Sequence, residues 1–245
     1  DQEAAARELR LLRDDGYLAH VIGRFREIGE RLRIVDREFF RDDILGRDGV
    51  IVMESSHGVL TDRWHGFHPH TSALRTLPRF THAMLAEAGY DGAVRNVGVT
   101  RAYQIRHGAG PLPTADPAMA ETLLPGSHKE ENRYQGKVRV GPLDGVLLRY
   151  ALGCCGGPGA FDALAVTWFD QVRRNGAWHL CDRYRHADDP AAFTATGDLR
   201  VGNGENETQR RHQMALTRAL RDCVPEVETH ALDPAATEEE LFTLC

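Results

Sequence analysis

From Glu3 to about Glu38 the apolar residues Leu9, Leu12, Leu18, Val21, Ile22, Phe25, Ile28, Leu32 and Val35 recur at intervals of three and four, the period of amphipathic helix. Gly16 divides the stretch into two predicted helices. The pattern then changes to a continuous apolar run, Val50-Ile51-Val52-Met53, which predicts a buried strand feeding the polar loop Glu54-Ser55-Ser56-His57-Gly58. Leu74 to Gly89 reads as a helix closed by its glycine, and Val94 to Ile105 as a second strand. The prolines and glycines of Gly108 to Thr114 make a shaped loop. Pro142 to Leu152 reads as helix, Gly153 to Gly159 as a turn, and Ala163 to Phe169 as a third strand ending at Asp170. Trp178 to Tyr184 predicts a further strand, Gln209 to Cys223 a helix and Glu239 to Leu244 a short terminal segment. Three strands that each run into a polar loop describe an α/β protein whose ligands gather at strand ends.

Composition narrows the classes. The 245 residues, 42% hydrophobic and 27% charged, are those of an ordinary globular protein, and no apolar run is long enough for a membrane span. A net charge of -6 argues against general nucleic-acid binding. Five scattered cysteines without paired CxxC spacing fit a reducing cytoplasm. In that setting the Asn206-Glu207-Thr208 sequon is a chance match. The first residues show neither an initiator methionine nor a signal peptide, and the expectation drawn is that a segment is missing upstream.

Four groups of residues carry candidate chemistry. The stretch from His57 to Ser72 holds His57, His65, His68 and His70 around Asp62, Thr71 and Ser72. The spacing of His65, His68 and His70 admits a metal centre, although it matches no established zinc signature and Pro69 opposes a ligand-presenting helix. The cations Lys129, Arg133, Lys137 and Arg139 surround Gly136, an arrangement suited to a phosphate or carboxylate and equally to a solvated charged loop. Asp170, at a strand end, can accept paired hydrogen bonds from a guanine edge or cap a helix. Cys154 and Cys155 admit a nucleophile or two small buried residues.

Taken together, the order and spacing of these segments resemble the adenylosuccinate synthetase family over roughly residues 50 to 175. Glu54, Gly58, Asp62, His65, Gly66 and Pro69 are similar to the family's E-G-x-Q-G turn and D-x-x-H-G-x-x-P run. Val99 to Thr114 resembles the K-A-Y-x-T-R-V-G-x-G-P-F-P-T signature, the most specific of the matches. Gln135 to Asp144 resembles T-T-G-R-x-R-x-G-W-L-D, and Thr167 to Asp170 resembles T-K-L-D. The sequence departs from the family where Tyr134 and Gln135 stand for threonines, Lys137 for an arginine and Trp168 for a lysine. Nothing in it matches the family's G-D-E-G-K-G-K phosphate loop or its G-H-T histidine.

The resemblance implies an α/β fold with a mixed, mostly parallel central sheet flanked by helices, related to the phosphate-loop NTPases. It implies one domain over residues 1–245 that lacks the family's N-terminal part. It implies a ligase that joins aspartate, or a related amine, to IMP or a related oxo-purine nucleotide with GTP or another triphosphate and Mg2+. His57, Gly58, Ser72, Arg106, His107, Gly108, Lys137 and Arg139 then contact nucleotide or substrate, and Asp170 reads guanine. A cytoplasmic homodimer, free of membrane and nucleic acid, completes the expectation. Two alternatives stand beside it: a catalytically silent nucleotide-binding or subunit protein on the same scaffold, and a metal-dependent hydrolase built on His65, His68 and His70.

Overall fold

A computed structural model describes residues 2–124, 126 and 130–235. Lys129 and the segment Glu239 to Leu244 lie outside the described residues. The chain divides into two compact units, the first made of residues up to Val52 with Leu85–Asp91, the second of Met53–Met84 with the chain from Gly92 onward.

The first unit carries two helices, as the periodicity predicts, α1 (Gln2–Leu12) and α2 (Asp15–Arg31), but the break falls at Arg13–Asp14 and Gly16 lies inside α2. Asp14 starts α2 by accepting a hydrogen bond from the Tyr17 N–H at 2.8 Å, which satisfies one of the donors a helix start leaves unpaired. Arg37–Phe39, capped by Asp36, runs into a π-helical segment, Phe40–Leu45. The expected strand Val50 to Met53 does not form. Val50 and Val52 are 92% and 86% exposed, and no strand among the described residues pairs with the run, so its backbone groups have no ladder to join.

In the second unit, α3 (Pro78–Glu87) begins within the predicted Leu74 to Gly89 span and continues past the unit boundary. The expected long strand from Val94 is two strands in two sheets. β1 (Val97–Arg101) pairs in parallel with β4 (Ala163–Thr167), whereas β2 (Tyr103–Arg106) is antiparallel to β3 (Arg139–Asp144). Ala102, fully buried, is the crossing point. Its N–H donates to the Thr167 carbonyl at 2.8 Å, and its own carbonyl accepts from the Trp178 indole at 2.6 Å. The second sheet has the order β2-β3-β5-β6, with β3 parallel to β5 (Ala177–Arg185) and β5 antiparallel to β6 (Val224–Ala231). The α/β expectation therefore holds, as a mixed sheet system.

Residues 142–144, expected to open a helix, belong to β3 instead; helix α5 (Gly145–Cys154) starts after them. The correction has a local cause. Asp144 has an extended backbone and its side chain accepts from the Leu147 N–H at 3.1 Å, so it is the N-cap rather than a helical residue. Helices α4 (Pro117–Leu123), α6 (Phe169–Arg174) and α7 (Glu207–Ala219) complete the elements used below. Asn206 of the sequon is the N-cap of α7. Phe67, Leu77, Val146, Tyr150, Phe193 and Leu216 belong to one buried cluster, and Tyr103, Val140, Leu143, Val172 and Trp178 to another. The site described next lies among the loops around β2 and β3.

Candidate anion-binding site

Asp62 organises the first of these loops. Fully buried, it accepts the N–H groups of Trp64 at 2.8 Å and His65 at 3.0 Å through Oδ1, and that of Thr76 at 2.7 Å through Oδ2. Burial opposes its ionisation, but the His65 imidazole and these backbone donors outweigh burial and hold the carboxyl well below the usual carboxylate range. The loop this carboxylate ties together presents His57, Thr61 and Ser72 to one another.

Ser72 Oγ lies 2.5 Å from His57 Nε2, and Thr61 Oγ1 lies 3.0 Å from His57 Nδ1. Thr61 donates its own proton to the Gly58 carbonyl at 3.1 Å, and Ser72 Oγ accepts the Leu74 N–H at 2.9 Å. The Thr61 and Ser72 hydroxyls thus hold the His57 ring through both of its nitrogens.

The second loop follows β2. Arg106, 7% exposed, donates from Nε to the Ala109 carbonyl and from a terminal nitrogen to the His70 carbonyl, each at 3.0 Å. Arg139, at the start of β3, donates to the carbonyls of Gly108 at 2.9 Å and Gly110 at 2.7 Å. Glycine is required at two positions here. A Cβ on Gly110, whose φ is +116°, would fall 2.2 Å from the Arg106 guanidinium, and one on Gly141 would fall 1.7 Å from the Thr114 carbonyl oxygen. The loop thus closes on the two guanidiniums with backbone carbonyls, and among the described residues no carboxylate pairs with either. Burial, then the charge of Arg139, pushes Arg106 down to about 10. His70 is also pushed down, first by burial and then by the charges of Arg106, Arg221 and Arg139. Cations held together without a counter-charge define a place for an anion.

Of the predicted contact residues, the structure gathers Gly58 and Ser72 with His57 in the first loop, and Arg106, His107, Gly108 and Arg139 along the second; the His70 carbonyl links the two through Arg106. Lys137 is exposed, beyond the small turn in which Asn132 and Gly136 exchange backbone hydrogen bonds. Asp170 stands in the first turn of α6 and is ion-paired with Arg174, one turn on. Thr61 and Arg221 escaped the sequence reading: neither belongs to a spacing pattern, and only the folded loops bring them to His57 and His70.

The three histidines of the metal alternative do not converge. His65 Nδ1 faces Asp62 at 3.5 Å, His68 Nε2 donates to the Arg63 carbonyl at 2.6 Å, and His70 is surrounded by arginines. Among the described residues no group of three metal-ligating side chains comes together. The cysteine alternative fares similarly. Burial pushes the Cys154 thiol to about 12 and the Cys155 thiol to about 11, so neither offers thiolate near neutrality.

Fold and geometry together define an α/β protein with two guanidiniums, Arg106 and Arg139, held by the loop that follows β2. The chain belongs to the adenylosuccinate synthetase family, whose model matches residues 3–221. It is 33% identical to the adenylosuccinate synthetase of Thermosynechococcus vestitus over 167 residues, which cover 67% of this chain and 36% of that protein. It is 28% identical to that of Heliobacterium modesticaldum over 181 residues, 71% of this chain and 41% of the relative. The chain thus spans well under half the length of these curated relatives. The fold is similar to that of a fully ligated adenylosuccinate synthetase from Plasmodium falciparum, with a TM-score of 0.58 and 20% identity over 82% of this chain and 43% of that one. Among the described residues no helix is long and apolar enough to cross a membrane.

Proposed function

We propose that this chain supplies the substrate-anion site of an adenylosuccinate synthetase-like ligase, which joins aspartate or a related amine to IMP or a related oxo-purine nucleotide at the expense of GTP or another triphosphate. The observation that carries the reading is the pair of Arg106, buried, and Arg139, half-buried, both held by loop carbonyls and facing no carboxylate among the described residues. Two fixed guanidiniums suit the phosphate of a nucleotide or the carboxylates of an amino acid. The loop that carries His57, Gly58 and Ser72 is joined to Arg106 through the His70 carbonyl.

In this reading the chemistry is activation of the 6-oxo group by phosphoryl transfer, followed by attack of the amine. Positioning and charge neutralisation are what the protein contributes to such a reaction. Arg106 and Arg139 hold the anionic substrates, and Lys137 stands exposed two residues before Arg139. Asp170 reads guanine only after leaving Arg174; an exposed helical pair of this kind contributes about 0.3–0.5 kcal/mol, a small obstacle. Mg2+ belongs to the family's chemistry, but among the described residues no carboxylate cluster fits it, and no step is assigned to it. The single synthetase-like domain, the homodimer and the cytoplasmic location rest on family membership alone.

The test is calorimetric titration of the chain with IMP, GTP and aspartate in the presence of Mg2+, with phosphate release followed in the same mixtures. The expected result is IMP binding that is lost in Arg106→Ala. Absence of binding by all three would overturn the assignment. Binding without phosphate release would select the silent nucleotide-binding alternative.

A further inference from the structure

Resting on the anion-site reading above, we propose that Tyr150 of α5 and Gln209 of α7 are positioning residues for that site: they fix the carbonyls of His65 and Trp64, and through that loop the place at which the His70 carbonyl meets Arg106.

Helix α7 buries a polar face. Where a helix packed on a core ordinarily presents apolar residues one turn apart, α7 presents Gln209, Gln213 and Thr217, all buried, with Leu216 beside them. Thr217 is satisfied within its own helix, donating to the Gln213 carbonyl at 2.9 Å. The two glutamines reach other elements instead. Gln209 Nε2 donates to the Trp64 carbonyl at 3.1 Å, while the Tyr150 hydroxyl donates to the His65 carbonyl at 2.7 Å and lies 3.0 Å from Gln213 Oε1. This arrangement is not the most stable one available. A buried side-chain amide destabilises unless its groups are paired, and Gln213 Nε2 has no hydrogen-bond partner among the described residues. Folding alone gives no reason for two glutamines on this face; holding two successive loop carbonyls gives one.

The path from these carbonyls to Arg106 is continuous. The Tyr150 ring stacks on Phe67, which is fully buried, with 5.4 Å between centroids. The Phe67 carbonyl accepts the His70 N–H at 2.9 Å, and the His70 carbonyl accepts the Arg106 guanidinium at 3.0 Å. Because Asp62 accepts the N–H groups of Trp64 and His65, these two residues are held at both their N–H and their carbonyl groups. Releasing either carbonyl frees the stretch that delivers the His70 carbonyl. Arg106 then loses a fixed partner, and a binding group set slightly out of place binds much less well. Tyr150 and Gln209 act through the loop, not on the ligand.

The experiment measures IMP affinity by titration calorimetry and the Arg106 guanidinium N–H resonances by NMR, in the full chain and in three variants, at a temperature where each gives a dispersed spectrum. Tyr150→Phe keeps the ring on Phe67 and removes only the hydroxyl, and Gln209→Met keeps the side-chain volume and removes the donor. Leu216→Val is the control, since it loosens the same helix through an apolar side chain that holds no carbonyl. The expected result is IMP binding about tenfold weaker in Tyr150→Phe and in Gln209→Met, with the Arg106 resonances already shifted before ligand is added. Leu216→Val lowers the Tm and leaves both readouts near wild type. Equal weakening in Leu216→Val would show that affinity merely follows stability, and would overturn the proposal. Unchanged affinity and unchanged Arg106 resonances in Tyr150→Phe and Gln209→Met would also overturn it, if wild type binds IMP and Arg106→Ala does not; the anion site then stands without this support. If wild type does not bind IMP, the anion-site reading and this inference fall together.

Discussion

The phenol of Tyr184 donates a 2.6 Å hydrogen bond to Oδ2 of Asp144, the buried carboxylate whose other oxygen caps helix α5 at the Leu147 N–H. Burial pushes Asp144 up to about 6, and the Tyr184 hydroxyl, the backbone donors of α5 and Arg149 only partly oppose it. Because β3 ends at Asp144, this contact ties strand, helix and β5 together at the floor of the sheet that carries Arg139.

A pH dependence follows, with a definite sign. The folded chain keeps the Asp144 proton up to about 6, whereas the unfolded chain releases it near the ordinary carboxylate value, so this group's contribution to stability falls as pH rises between the two. Tyr184→Phe removes a donor that favours the ionised form. Its destabilisation should be about 1–3 kcal/mol above pH 6 and smaller at pH 5, read as urea unfolding midpoints at the two pH values. Equal loss at both would place the Tyr184 contribution in packing rather than in the hydrogen bond.

Gly141→Ala places a methyl group where the Thr114 carbonyl oxygen already lies. The Thr114 segment must move away from β3 to admit it, at about 1–3 kcal/mol. Thermal unfolding should show a lowered Tm, and the Arg139 side chain should lose its two carbonyl partners. An unchanged Tm would contradict the close approach of these two loops.

Arg139→Lys keeps the charge but replaces the terminal guanidinium nitrogen that serves the carbonyls of both Gly108 and Gly110 by an ammonium on a shorter, non-planar side chain. IMP affinity should drop about thirtyfold, roughly 2 kcal/mol, in titration calorimetry. Retained affinity in Arg139→Lys and Arg139→Ala alike would remove Arg139 from the site.

Thiol reactivity gives an independent check on the fold around α5. Burial raises Cys154, Cys155, Cys181 and Cys223, so these four thiols, followed by peptide mass, should react with a thiol reagent at pH 7 far more slowly in the folded chain than in urea. A fast-reacting thiol assigned by peptide mass to Cys155 would show that the end of α5 is open.

Much of the architecture was legible because periodicity and capping are local properties. Leu9 to Val35 repeats at the helical interval, Ala163 to Val166 is a short apolar run of strand length, and the family motifs keep their order along the chain. What failed was local pattern without its partner. Val50 to Val52 has the composition of a buried strand, yet a strand exists only where another backbone offers hydrogen bonds, and none of the described residues does. Val94 to Ile105 reads as one strand, yet Ala102 passes the chain between two sheets because Thr167 and Trp178 stand on either side of it.

The sequence by itself determined the class of protein, the loops that carry its chemistry and the residue types placed on them. Only the tertiary structure decided which of those residues meet. His57 and Ser72 are fifteen residues apart and Arg106 and Arg139 thirty-three apart, so their contact depends on the Asp62-braced loop and on the approach of Gly141 to Thr114, neither of which has a periodic signature.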